Sequence, residues 1–84
     1  MQFLGHPFER LREIGLTDGK IFLDVECALG FYSFPASSIV REKGLVYALD
    51  MNPALIGYLT NKARKQGIQN IKPITANVEK TDLP

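Results

Sequence analysis

The chain reads Ile21-Phe-Leu-Asp-Val-Glu-Cys-Ala-Leu-Gly30 at the point that decides its fold. An apolar run with an acid near its end leads into a short loop, and a helical pattern follows. A nearly continuous apolar run is typical of a strand that is covered on both faces. Strand, tight loop and helix in this order indicate the nucleotide-binding corner of an α/β fold.

The rest of the chain repeats the alternation of strand and helix. Residues 45–49 predict a second buried strand closed by Asp50, and residues 71–75 predict a third. Pro73 cannot donate to a ladder of hydrogen bonds, so the third strand is expected at an edge of the sheet. Strands that alternate with helices favour right-handed crossovers and a parallel sheet. We therefore predict an α/β, three-layer Rossmann-like fold with a parallel three-stranded sheet in the order 3-2-1.

Three helices are expected beside these strands. Residues 7–14 form the first, with an apolar stripe at Phe8, Leu11 and Ile14 that should face the core. The second should begin near Ser33, because a proline two residues later is tolerated only in a first turn, and it should run to about residue 42. The third begins at Asn52-Pro53, with Asn as the N-cap. Its predicted buried stripe consists of Leu55, Tyr58, Leu59 and Ala63.

Composition narrows the class of protein. The chain has 84 residues, a net charge of +1 and no basic run, so nothing indicates a nucleic-acid partner. Its apolar stretches are far shorter than the roughly 20 residues that span a bilayer, so no membrane partner is expected. The single cysteine, Cys27, cannot form an internal disulfide, and we expect a small buried thiol in a cytoplasmic protein.

The loop after the first strand departs from both common glycine patterns. A dinucleotide fingerprint would place glycines at positions 26, 28 and 31, where the chain has Glu26, Ala28 and Phe31. A G-x-G-x-G spacing would place them at 26, 28 and 30, and of these only Gly30 is present. A dinucleotide-binding domain is therefore a disfavoured alternative.

The segments that flank the loop carry a more specific signal. They occur in the order and spacing of one family: Leu23-Asp24-Val25, Cys27, Ala48-Leu-Asp50-Met-Asn52-Pro and Ala76-Asn77. In these segments the chain resembles the class I S-adenosylmethionine-dependent methyltransferases. The resemblance covers residues 19–84 and the N-terminal, cofactor-binding half of that family. Residues 1–18 are then an N-terminal helix and turn, and residues 19–84 a partial S-adenosylmethionine-binding domain.

The resemblance implies a role for each matching position. Asp24 would face the methionine ammonium of S-adenosylmethionine, and the backbone from Glu26 through Cys27 and Ala28 to Gly30 would pass under the methionine and ribose. Asp50 would accept hydrogen bonds from the ribose hydroxyls.

The adenine would be held by the residues that follow the second and third strands. Met51 would lie against the face of the ring, and Asn77 would accept a hydrogen bond from the adenine amino group. The backbone N–H of Val78 would complete the adenine edge. The resemblance implies no catalytic residue and no metal ligand in this chain.

Two departures from the family pattern are expected to matter. Glu26 and Ala28 place side chains where the cofactor would lie against bare backbone, so we expect impaired binding. The family's substrate-selecting residues usually come later in sequence, so we expect this chain to be an incomplete domain that is not catalytic alone.

The predicted sheet also leaves one side of the first strand open. A long apolar edge is a template for pairing with another chain. We therefore expect self-association, or a complementary chain, at this edge. The alternative function is a degenerate, non-catalytic α/β module that acts by such pairing.

Overall fold

The structure, a computed structural model, describes residues 6–25, 27 and 30–76. Its elements follow in the order α1 (Pro7–Glu13), β1 (Ile21–Val25), α2 (Ser33–Val40), β2 (Leu45–Asp50), α3 (Pro53–Lys65) and β3 (Ile71–Thr75). The strands form one parallel sheet in the order β1-β2-β3. The predicted Rossmann-like α/β class, the strand directions and the strand order are confirmed, with β3 at the edge that Pro73 indicated. Of the three predicted layers, the described residues contain the sheet and one helical layer.

Local sequence signals explain where the helices begin. The Asn52 side chain accepts the backbone N–H of Ala54 at 2.9 Å, and Pro53 is the first residue of α3, as predicted. Pro35 lies in the first turn of α2, which begins at Ser33. This helix ends at Val40, two residues earlier than predicted, because the chain takes a positive φ of 61° at Arg41.

The core lies between the sheet and the helices. Right-handed crossovers that advance from β1 to β2 to β3 place α2 and α3 on the same face of the sheet. Val46 and Ala48 of β2 have no exposed surface, and both pack in one cluster with Leu59 of α3 and Val40 of α2. The described residues therefore form a helical layer on one face of a sheet.

The other face of β1 is open, which corrects the expectation that this strand is covered on both faces. Ile21, Leu23 and Val25 retain 68%, 43% and 45% of their surface. Alternate residues of a strand point to opposite faces, and only the face of Phe22 and Asp24 meets the described helices. Only one face of the apolar strand is thus covered, and Ile21, Leu23 and Val25 form an exposed stripe on the other.

Two predicted core positions are also wrong. Ile14 is 72% exposed because α1 ends one residue before it and the chain turns at Gly15, so that Leu16 enters the core instead. Tyr58 is 48% exposed because the buried face of α3 consists of Ile56, Leu59 and Ala63, and the tyrosine lies to its side.

Candidate functional site

Two acidic side chains lie on one face of the sheet near its carboxyl edge. Asp24 of β1 is in register with Ala48 of β2, and Asp50 follows Ala48 by two residues on the same strand. Because residues two apart in a strand share a face, Asp24 and Asp50 point to the same side of adjacent parallel strands. The carboxyl edges of such sheets are where α/β proteins bind ligands.

Asp24 is held by the first residue of α2. The Ser33 hydroxyl donates a hydrogen bond to Asp24 Oδ2 at 2.6 Å, and the backbone of Ser33 also hydrogen-bonds this carboxylate. Burial raises the pKa of Asp24 above its usual value of 3.8, and the negative charge of Asp50 raises it further. The two Ser33 hydrogen bonds favour the ionised form and lower this pKa, so they act against the burial.

Asp24 is reachable from outside despite its partial burial. It lines an open cavity of about 340 Å³ between α1, the edge of β1 and the start of α2. Arg10, Glu13 and Tyr32 line the same cavity, so groups of both charges surround the carboxylate.

Asp50 lies at the end of β2 and is 9% exposed. Its Oδ1 accepts the backbone N–H of Asn52 at 2.9 Å, which orders the turn into α3. Its backbone carbonyl accepts the N–H of Ala76 at 3.0 Å, which keeps the chain leaving β3 beside the end of β2. Met51, the next residue, is 60% exposed at this edge.

The described part of the loop after β1 stays close to β2. The backbone N–H of Cys27 donates to the Leu49 carbonyl at 2.8 Å, and the N–H of Gly30 donates to the Cys27 carbonyl at 2.9 Å. The Cys27 side chain is buried, as expected, and burial raises the pKa of its thiol to about 11. A thiol with this pKa is protonated at neutral pH, which makes Cys27 a poor nucleophile.

Gly30 is required by the local packing. It has a φ of +85°, and an added Cβ would clash with the ring of Phe34. Its carbonyl accepts the N–H of Phe34 at 3.1 Å, which leads the chain into α2. The surviving glycine of the loop therefore has a structural role whether or not a ligand binds.

Comparison with known proteins decides the family. A family model described as "Methyltransferase domain" matches residues 16–84, which is most of the chain. The chain belongs to this methyltransferase domain family.

The relatives of this methyltransferase domain are larger proteins. A demethylmenaquinone methyltransferase of Geobacillus stearothermophilus is 27% identical over 74 residues, which cover 88% of this chain and 32% of that protein. The crystal structure of a SAM-dependent methyltransferase from Aquifex aeolicus matches with a TM-score of 0.86 and 37% identity, over 93% of this chain and 42% of that one. The chain thus spans less than half of either relative.

Similarity of fold extends further than similarity of sequence. Aeropyrum pernix fibrillarin, solved with natively bound S-adenosyl-L-methionine, matches with a TM-score of 0.67 and 24% identity, over 74% of this chain and 26% of that chain. At this identity the match supports the fold of the methyltransferase domain alone.

The structure brings together some of the site residues predicted from the sequence. Asp24, Cys27, Gly30, Asp50 and Met51 all lie at the carboxyl edge of β1 and β2. Four further positions lie outside the described residues, namely Glu26, Ala28, Asn77 and Val78.

Sequence reasoning missed Ser33 in this methyltransferase domain. The available signal was a serine at the expected first position of a helix that follows the acid-bearing strand. The described ranges contain no cluster of three or more metal-ligating side chains. No helix among them has the length and apolar character needed to cross a membrane.

Proposed function

We propose that this chain provides the S-adenosylmethionine-binding part of a methyltransferase. The observation that carries the proposal is the pair Asp24 and Asp50, which share a face at the carboxyl ends of two adjacent parallel strands. Membership of the methyltransferase domain family and the 37% identity to the Aquifex aeolicus protein support it.

The hydrogen-bond acceptors present fit the two ends of this cofactor. Asp24 has an accessible carboxylate suited to the cofactor's ammonium, since a carboxylate can accept about four hydrogen bonds and Ser33 supplies two. Asp50 ends the neighbouring parallel strand on the same face of the sheet, where an acid is suited to the ribose hydroxyls. The exposed Met51 side chain offers an apolar surface for the adenine ring.

The remaining cofactor contacts are proposed for positions outside the described residues. Asn77 and Val78 would hold the adenine edge, and Glu26 and Ala28 would lie under the methionine and ribose. S-Adenosylmethionine supplies an already activated methyl group when it binds, so the protein's task is largely to position it. We assign no residue of this chain to the catalytic step or to the choice of methyl acceptor.

We also propose that Glu26 and Ala28 weaken cofactor binding. A non-glycine residue with a strained backbone costs about 1–3 kcal/mol, which corresponds to as much as roughly a hundredfold in affinity. The two side chains would in addition occupy space that glycine leaves to a ligand.

Calorimetric titration with S-adenosylhomocysteine tests the proposal. The parent chain should bind, and Asp50→Asn should bind at least about tenfold more weakly. The matched control is Asp18→Asn, because Asp18 is an exposed acid that lies before β1 and outside the proposed site. Equal affinity of Asp50→Asn and Asp18→Asn would contradict the assignment of Asp50.

The double variant Glu26→Gly, Ala28→Gly tests the loop separately. We expect it to bind S-adenosylhomocysteine more tightly than the parent, by up to about a hundredfold. If the double variant binds S-adenosylhomocysteine and the parent does not, the chain keeps the geometry of the cofactor site but has lost its affinity for the cofactor. No gain in the double variant would contradict the proposed impairment.

A second candidate function is favoured by the exposed stripe of β1, formed by Ile21, Leu23 and Val25. We propose that this strand pairs with a second copy or a complementary chain, because within the described ranges β1 pairs only with β2. Sedimentation should show an oligomer for the parent that Leu23→Lys dissociates. Tyr58→Lys, a change on the exposed side of α3, is the control that should leave the oligomer intact.

We further propose that residues 1–18 are an N-terminal helix and turn before a partial S-adenosylmethionine-binding domain of residues 19–84, and that the protein is cytoplasmic. The family match, which begins at residue 16, supports the first proposal. The free and buried Cys27 is consistent with a reducing compartment and supports the second.

A further inference from the structure

Ser33 contacts the proposed site through two donors. Its side chain is fully buried at the first position of α2, where a hydroxyl needs a partner. That partner is Asp24, which accepts the hydroxyl at 2.6 Å and a second hydrogen bond from the Ser33 backbone. Ser33 thus holds the Asp24 carboxylate with two hydrogen bonds from the start of α2.

These two hydrogen bonds have two physical consequences for Asp24. Two donors fixed by a helix start restrict the carboxylate to one orientation, which removes rotamer freedom before any ligand arrives. Both donors also stabilise the ionised form, the form that attracts a cationic ammonium.

We propose that Ser33 is a positioning residue for cofactor binding, whose hydroxyl orients the Asp24 carboxylate toward the ammonium of the methionine end. This inference rests on the proposed function and adds a residue to which no role had been assigned. Ser33 itself need not touch the cofactor, because it acts through Asp24.

Other ionisable groups also face Asp24 and must stay unchanged in a test. They come from every element packed around the carboxylate: Arg10 and Glu13 of α1, Cys27 of the loop, Tyr32 before α2 and Asp50 of β2. A variant that removes only the Ser33 hydroxyl leaves all of these charges in place.

The chain offers a matched control in the same helix. Ser37 is a second buried serine of α2, and its hydroxyl donates to the Asn70 side chain instead of Asp24. Ser37→Ala and Ser33→Ala each remove one buried hydroxyl from one helix. Only the second removes a donor to Asp24.

The experiment measures two quantities on the whole chain. The first is the pKa of Asp24 without ligand, measured by nuclear magnetic resonance as the midpoint of the pH titration of its carboxyl carbon chemical shift. The second is the dissociation constant of S-adenosylhomocysteine. In Ser33→Ala the Asp24 midpoint should rise and binding should weaken by about tenfold. Ser37→Ala should leave both unchanged, and Ser33→Thr, which keeps the hydroxyl, should restore both.

The outcomes separate this inference from the proposed function. An unchanged Asp24 midpoint in Ser33→Ala, or equal loss of affinity in Ser33→Ala and Ser37→Ala, overturns the role of Ser33. If Ser33→Ala does not fold, the comparison of Ser33→Thr with the parent decides, and a shifted midpoint there overturns the role. Failure of the parent to bind S-adenosylhomocysteine contradicts the proposed function, whereas the ligand-free titration still supports or overturns the hydrogen bonding of Ser33 to Asp24.

Discussion

Strands β1 and β2 have similar apolar sequences and very different surroundings. In β2, Val46, Ala48 and Leu49 retain at most 1% of their surface, whereas alternate residues of β1 retain between 43% and 68%. Two causes combine. Val46 and Ala48 point toward the helices, whereas Ile21, Leu23 and Val25 point to the other face of the sheet. On that other face Leu49 belongs to the central strand, which has a paired strand on each side among the described residues, and β1 has one on a single side. Apolar character therefore indicates a strand without indicating how many of its faces are covered.

The largest expected difference between the two strands concerns a buried charge. Ala48→Asp would place a carboxylate among apolar side chains of the core, at a cost of about 3–5 kcal/mol, which is enough to unfold a chain of this size. Leu23→Asp, on the open face of β1, should change stability by about 1 kcal/mol or less. Urea denaturation followed by circular dichroism measures both. Similar losses for the two variants would mean that something covers the β1 stripe in solution.

A second pair of substitutions makes the same comparison on α3. Leu59 is fully buried against the sheet, so Leu59→Ala should cost about 3 kcal/mol through lost burial and a cavity. Tyr58→Ala, one residue earlier and half-exposed, should cost about 1 kcal/mol. Thermal melts of the two variants are the measurement, and a larger loss at Tyr58 would contradict the assigned buried face of the helix.

The two glycines that flank β1 extend the comparison to the backbone. Gly30→Ala combines a positive φ with a clash against the Phe34 ring, and should cost about 2 kcal/mol. Gly19→Ala has a similar φ of +82° and open space around it, so about 1 kcal/mol is expected. Equal losses, measured by chemical denaturation, would show that the Phe34 ring moves aside without cost.

The smallest expected effect is the pH dependence that Asp24 contributes. Because burial raises the pKa of Asp24 in the folded chain, the folded state binds its proton more tightly than the unfolded state does. The contribution of Asp24 to stability is therefore present below the usual pKa of 3.8 and is lost as the pH rises through the folded pKa. Asp24→Asn should flatten the stability profile in that interval. An unchanged profile, measured by urea denaturation across pH, would contradict the raised pKa.

Much of the fold could be predicted from the sequence because local signals agree with one another. Asn52-Pro53 fixes the start of α3, Pro73 fixes the edge strand, and crossover handedness then fixes the strand order. The shared edge of Asp24 and Asp50 follows from these elements, since acids that end adjacent parallel strands must lie near one another.

The remaining features depend on distances that sequence patterns do not contain. The bond between Ser33 and Asp24 needs the helix to begin at one particular residue, and helix starts are predictable only to within a few residues. The open face of β1 could not be predicted because an apolar run is the same whether this chain or another covers it. The exposure of Tyr58 could not be predicted because packing sets the buried face of α3, and an aromatic ring suits a core and a flank equally well.

Pro73 affects which edge of the sheet can accept another strand. The carbonyl of Asp50 accepts the N–H of Ala76, and the N–H of Val46 donates to the carbonyl of Asn70, so the alternation of the ladder turns the Pro73 nitrogen away from β2. That nitrogen carries no hydrogen, so β3 lacks a backbone donor at the position where an added strand would need one. The missing donor thereby disfavours extension of the sheet beside β3, so a joining strand is expected beside β1 instead.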